Sequence, residues 1–356
     1  KVLNSYGYPM GLADYSAFIL GGLPKQGQTL EEVKDLLLNE IKKLRAGEFD
    51  EKMLQANINN FKLYELQSME SNEGRADIFV NSFINGTNWK DEVTAIDRMA
   101  KLTKEDIVAF ADKYLKEDNY AVVYKKQGKD PNEKKMTKPE ITPIVSNRDV
   151  ASPFLTSIQE NAVKPIEPVF LDFKKDMSQL TAKSDIPVLY KQNTTNDLFQ
   201  LIYVFDMGNN NDKALGTAFD YLEYLGTSDM TPEELKSEFY RLACTFYVSP
   251  GNERTYVVLS GLNENMPAAM QLFEKLLADA QANKEAYNNL VGDILKARAD
   301  AKLNQGQNFS RLMNYAMYGP KSPATNLLTE AELASMNPQE LVDRIHNQNN
   351  YKHRIL

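Results

Sequence analysis

Apolar residues recur every three to four positions along much of the chain, and the runs open at recognisable caps. Thr29-Leu30-Glu31-Glu32 has the spacing of a capping box, in which hydroxyl and carboxylate each serve the other residue's backbone amide. Behind it Leu30, Val33, Leu37, Ile41 and Leu44 form one helical stripe, and Gly47 marks its end. Further helices are predicted over about 51–68, 74–84 and 90–100. Thr103-Lys104-Glu105-Asp106 caps another, which carries Ile107, Phe110, Ala111 and Tyr114. Two short apolar runs, Tyr15–Leu20 and Asn119–Tyr124, predict strands at either end of this helical block.

From about Gln127 to Phe170 the pattern is lost. Pro131, Pro139, Pro143, Pro153, Pro165 and Pro168 fall here, six of the chain's 15 prolines. Proline fixes φ and removes a backbone donor, so a long helix or a central strand is excluded and an extended linker is expected. Periodicity then resumes. Strands are predicted at Pro187–Lys191 and Leu198–Phe205, and a helix at about 212–225. A second helix opens at Thr231-Pro232-Glu233-Glu234, with N-cap, proline and glutamate in their preferred places. Cys244–Val248 and Arg254–Gly261 read as a hairpin turning at Pro250-Gly251-Asn252. Helices at about 266–280, 286–303 and 309–317 follow, and Asn337-Pro338-Gln339-Glu340 caps a last one.

The two periodic blocks share an order of elements at a nearly constant offset. The N-caps Thr103 and Asn337 are 234 apart (337 − 103), followed by Ile107-Val108 and Leu341-Val342. The strand Phe18-Ile19-Leu20-Gly21-Gly22-Leu23 matches Val257-Val258-Leu259-Ser260-Gly261-Leu262 at 239 (257 − 18). The expected organisation is therefore a first repeat domain over 1–126, a Pro-rich linker over 127–172 and a second repeat domain over 173–356. The second block carries strands and helices ahead of its hairpin that the first does not, so the first copy is expected to be truncated. Lys1 without an initiator Met fits a piece of a longer protein.

Composition narrows the chemistry. With 41 Lys and Arg against 49 Asp and Glu the net charge is −8, which argues against a nucleic-acid partner. The cluster Lys125, Lys126, Lys129, Lys134 and Lys135 lies beside Asp130 and Glu133 and reads as a solvated face. No apolar run reaches the ~18–20 residues of a membrane span. Cys244 is the single cysteine, and His346 and His353 are the two histidines, so a His- or Cys-rich zinc site is excluded. The glycines near Gly21-Gly22 and Gly208 lack the spacing of a phosphate loop.

One segment carries a motif frame without its ligands: Phe219-Asp220-Tyr221-Leu222-Glu223-Tyr224-Leu225-Gly226-Thr227, with Asp293 about seventy residues on. It resembles the pitrilysin/insulinase family of zinc metallopeptidases, whose motif is H-x-x-E-H on a helix, then Gly-Thr, then a distal Glu. Two His at i and i+4 face one way on a helix and can share one Zn²⁺, while the Glu polarises the attacking water. By this resemblance Asp220 and Tyr224 stand at the two His positions, Glu223 at the general base and Asp293 nearest the distal Glu. The bland alternative is a core helix with Phe219, Leu222 and Leu225 packed inward, and the two readings combine as a core helix bearing a degenerate metal site.

The resemblance implies an α+β fold, a tandem repeat of mostly antiparallel sheets each covered on one face by helices. Linker and flanking blocks are most similar to the presequence-protease-like branch. It further implies that this chain is the central, non-catalytic portion of a zinc metalloendopeptidase. The chain itself would be inactive and metal-free, with zinc held elsewhere in the parent. Its partners would be a peptide substrate enclosed in a chamber and the remaining domains of the parent. Bacterial relatives are often exported, and a periplasmic parent would carry its signal upstream of Lys1. Tyr6 and Tyr8 lie where substrate-positioning aromatics could fall, but they align with none. A non-enzymatic binding or assembly subunit on the same scaffold is the alternative. The two differ in whether H-x-x-E-H stands upstream of Lys1.

Overall fold

The chain opens on a hairpin, β1 (Asn4–Gly11) and β2 (Ser16–Leu23), paired antiparallel from Asn4↔Leu23 to Gly11↔Ser16. The structure is a computed structural model that describes residues 1–12, 14–129, 136–144 and 146–356. Lys134, Lys135, Asp130 and Glu133 of the basic cluster lie outside the described residues. Next come α1 (Leu30–Arg45), α2 (Lys52–Ser68) and α3 (Asn72–Asn85). The predicted box forms at Thr29: its hydroxyl accepts the Glu32 amide at 3.1 Å, and the Glu32 carboxylate accepts the Thr29 amide at 2.7 Å.

Where one helix was predicted over 90–100 there are two short ones, α4 (Trp89–Val93) and α5 (Ala95–Met99). Thr94 lies between them outside the helical region, and its hydroxyl donates back to the Lys90 carbonyl at 2.8 Å. Such back-bonding competes with the helical ladder. Then α6 (Lys104–Tyr114) begins at the Thr103–Asp106 box. The strand predicted at Asn119–Tyr124 does not form. Its counterpart by the 234 offset, near residue 353, is a strand held between two others. Among the described residues the first block has no strand to fill either role, and an unpaired strand leaves its amides and carbonyls without a ladder.

By its contacts the chain divides into two compact units, one of 1–120 with 177–356 and one of 121–176. Among the described residues of the smaller unit the regular element is α7 (Pro153–Gln159), which the Ser152 hydroxyl caps with proline at the first helical position.

In the larger unit the second block supplies β3 (Ser178–Thr181), β4 (Pro187–Tyr190), β5 (Leu198–Phe205), α8 (Leu215–Leu222) and α9 (Pro232–Arg241). It continues with β6 (Cys244–Pro250), β7 (Thr255–Leu262), α10 (Met266–Asp279), α11 (Lys284–Lys302) and α12 (Gln305–Tyr318). The chain ends in α13 (Glu330–Ser335), α14 (Pro338–His346) and β8 (His353–Ile355). Six strands make one sheet in the order β3-β4-β8-β5-β7-β6, antiparallel throughout except between β4 and β8. Phe199, Leu201, Phe205, Val257 and Leu259 on one face pack with Phe239, Leu242, Ala269 and Phe273 from the helices. The fold is thus α+β, an antiparallel-dominated sheet covered by helices.

The two hairpins keep one register. Adding 239 to each of the seven pairs from Ser5↔Gly22 to Gly11↔Ser16 gives the pairs from Cys244↔Gly261 to Pro250↔Thr255. The offset is the one read between Phe18 and Val257 in sequence. It also identifies β1, which Gly7, Pro9 and Gly11 disguise as a turn.

The blocks meet through α2. Asn60 is buried and donates through Nδ2 to the Tyr240 carbonyl at 2.7 Å, and Leu63 packs with Leu198, Ala243 and Leu262.

Candidate functional site

The apolar face of α8 fixes the motif frame. Ala218, Phe219, Tyr221, Leu222 and Leu225 are all buried, in a cluster with Leu235, Leu276, Tyr287, Leu290, Leu341 and Ile345. Burying a side chain of this size contributes roughly 1.5–3 kcal/mol, so this spacing orients the helix firmly. Tyr221 adds a polar fastening: its hydroxyl donates to the Asn283 carbonyl at 2.6 Å and accepts the Asn283 amide at 2.8 Å. Asn283 in turn caps α11 by accepting the Ala286 amide. Sequence reading passed over Tyr221, although a tyrosine amid an apolar stripe signals a hydroxyl that needs a partner.

The predicted helix ran to residue 225, but α8 ends at Leu222 with Glu223 as its C-cap. Tyr224 and Leu225 donate to Tyr221 and Leu222, tightening the last turn to i→i+3 bonds. Asp220 therefore sits on the helix and Tyr224 just beyond its C-cap. Gly226 follows where a side chain has no room: a Cβ there would lie 2.3 Å from the Met230 carbonyl oxygen. Thr227 is buried, and its hydroxyl donates to Asp229 at 2.8 Å.

Asp220, Glu223, Tyr224 and Asp293 form one electrostatic group. The Tyr224 hydroxyl donates to Asp293 Oδ2 at 3.4 Å, so the fourth predicted residue reaches the frame from α11. Desolvation first, then Asp293, Glu223 and Asp220, push the Tyr224 phenol above its ordinary range. Desolvation and then Glu223 raise the Asp220 carboxyl. The Lys236 ammonium lies 5.9 Å from the centre of the Tyr224 ring.

This donor set does not fit Zn²⁺. A zinc ligand must be deprotonated, whereas burial and the neighbouring carboxylates push the Tyr224 phenol above its ordinary range and its hydroxyl donates to Asp293. Imidazole and thiolate, the donors zinc favours, are missing from the four positions. Among the described residues no three His, Cys, Asp or Glu are grouped so as to hold a metal ion.

The remaining sequence candidates lie apart from this group. His346 is exposed at the end of α14, and His353 packs its ring on Phe205 at 4.8 Å. Tyr6 and Tyr8 are half-exposed neighbours on β1, their ring centroids 6.2 Å apart. Gly208 lies against the backbone of Asn252 at the β6–β7 turn, a packing role rather than a phosphate loop. Cys244 is buried, its thiol donates to the Leu242 carbonyl at 3.4 Å, and burial pushes its pKa up to about 11. A thiol so protonated is a poor nucleophile. The folded chain should therefore leave Cys244 unreacted with a thiol reagent such as DTNB at pH 8. One equivalent should react in denaturant, and rapid labelling of the native chain would contradict the burial. No helix among the described residues is long and apolar enough to cross a membrane.

No protein-family model and no curated protein matches the chain. Solved structures do. It is similar to a peptidase M16 inactive domain from Pseudomonas fluorescens, at 15% identity over 48% of this chain and 43% of that one, with a TM-score of 0.42. A protease from Helicobacter pylori is similar at 10% identity over 51% and 45%, with a TM-score of 0.42. The periplasmic protease PqqL from Escherichia coli is similar at 13% identity over 99% of this chain and 42% of that one, with a TM-score of 0.44. The chain thus spans less than half the length of each.

Proposed function

We infer that the chain is the central, non-catalytic portion of a zinc metalloendopeptidase of the pitrilysin/insulinase family, nearest the presequence-protease-like branch. Residues 1–126 and 173–356 are its repeat domains and 127–172 the linker between them. The observation that carries this is the bond between Tyr224 and Asp293. Two positions of the motif frame that are 69 residues apart (293 − 224) meet, as zinc ligands would, but as a phenol on a carboxylate. Around them the apolar face of α8 and the cramped Gly226 keep the frame's shape.

In the parent this block contributes a wall of a chamber that encloses an extended peptide, and the zinc and its ligands lie on other domains. Closure of such a chamber excludes water and folded proteins from the site. The chain's own residues hold this wall in place and carry out no bond cleavage.

The test is turnover of an internally quenched peptide by the purified chain, with and without a chelator. No cleavage above background is expected in either case. Chelator-sensitive turnover would show that the frame is a working site.

A further inference from the structure

We propose that the unpaired edge of β2 is a docking site for one apolar strand of eight residues, supplied antiparallel by polypeptide outside these 356 residues. That strand serves β2 as β5 serves β7. The proposal stands on the matched registers and does not depend on the peptidase assignment.

Strand β7 is paired on both sides: with β6 along one edge, and with all eight residues of β5, from Leu198↔Leu262 to Phe205↔Thr255, along the other. Its counterpart β2 keeps the first partner in the same register and, among the described residues, has none along the second edge. The sequence of β2, Ser-Ala-Phe-Ile-Leu-Gly-Gly-Leu, contains no charge and no proline. Strands built to stand at an edge carry such devices against unwanted pairing. Strand β1 has one, Pro9, and so does β6, Pro250. The first hairpin therefore has an outer strand in β1 and an interior strand in β2.

Side-chain exposure follows the same division. Phe18, Leu20 and Leu23 are 49%, 36% and 44% exposed, while Val257, Leu259 and Leu262 at the same register positions are 0%, 0% and 1% exposed. In the second hairpin that cover comes from Phe199, Leu201 and Phe205 of β5 together with Phe239 of α9, Leu242 at its C-cap, and Ala269 and Phe273 from α10. Helix α1 already packs against β2, with Val33 buried where a Cβ on Gly22 would meet it. The acceptor is thus a hairpin already backed by a helix.

The test uses the whole chain and a synthetic peptide carrying Leu198–Phe205 between lysine pairs, read by amide exchange. Binding should slow exchange in Ser16–Leu23 by about tenfold or more and leave Asn4–Gly11 unchanged. Because an antiparallel strand offers alternate amides to each neighbour, two N-methylated peptides separate backbone pairing from mere stickiness. Methylation at one alternate set of residues should abolish protection, and methylation at the other set should leave it. The methyl groups are on the probe, so folding of the chain is not at stake. Unchanged exchange in β2, protection of β1 instead, or equal effects of the two methylated sets would each overturn the proposal. So would protection of β2 without peptide accompanied by a dimer in sedimentation, which would give the edge to a second copy.

Discussion

Leu259→Ala should destabilise the chain by about 2–5 kcal/mol, whereas Leu20→Ala, at the same register position of the first hairpin, should cost less than about 1 kcal/mol. Leu259 is fully buried among Phe199, Val257, Ala269 and Phe273, and truncation leaves a cavity that packed neighbours cannot fill. Leu20 is 36% exposed on a strand with one partner, and its truncation removes contact that is already incomplete. Residue type and strand position are matched, so the difference isolates the cover over each hairpin. Urea unfolding followed by circular dichroism gives both values. Equal losses would mean that the first hairpin is buried in solution by something the chain itself supplies.

Gly226→Ala is expected to cost about 1–3 kcal/mol, a large effect for one added methyl group. The new Cβ would stand 2.3 Å from the Met230 carbonyl oxygen and 3.2 Å from Pro232 Cδ. Neither is a side-chain tip that can swing away. The backbone is also tied down: the Gln281 amide donates to the Gly226 carbonyl at 3.0 Å, and the Thr227 amide to Met230 at 2.9 Å. Relief of the clash must therefore displace the start of α9 or break these bonds. Glycine at this place in the frame is explained by packing alone, with no need of a bound metal. Thermal unfolding against a Gly292→Ala control, where a Cβ meets nothing within 4 Å, measures it. Equal melting temperatures for the two variants would refute the steric reading.

Much of the fold is legible from local chemistry. The boxes at Thr29, Thr103 and Thr231 start helices because hydroxyl and carboxylate need only residues three apart. The offset of 239 was readable from apolar order, and the strand registers repeat it. What escaped depends on partners distant in sequence. Asn119–Tyr124 has the composition of a strand, yet strand formation is decided by a neighbour and not by composition. Strand β1 was hidden because Gly7, Pro9 and Gly11 are tolerated where one edge faces solvent. The docking of α2 on α9 through Asn60 and Tyr240 joins residues 180 apart, and an isolated asparagine gives no sign of it.

The site divides in the same way. Asp220, Glu223, Tyr224 and Asp293 were all named by their places in a motif frame, and the structure brings Tyr224 onto Asp293. The early end of α8 at Leu222 was not legible, because its last turn tightens to meet Gly226, whose neighbours at Met230 and Pro232 are set by tertiary packing. The fastening of Tyr221 to Asn283 likewise spans 62 residues.

The central claim is that the frame from Asp220 to Tyr224, closed by Asp293, holds no zinc. Equilibrium dialysis of the purified chain against micromolar Zn²⁺, followed by elemental analysis, measures this directly. Well under about 0.1 zinc per chain should be retained after buffer exchange, because a phenol bonded to a carboxylate, with no imidazole or thiolate beside it, makes a weak donor set. Retention of one zinc per chain, lost in Asp293→Asn and in Asp220→Asn, would contradict it.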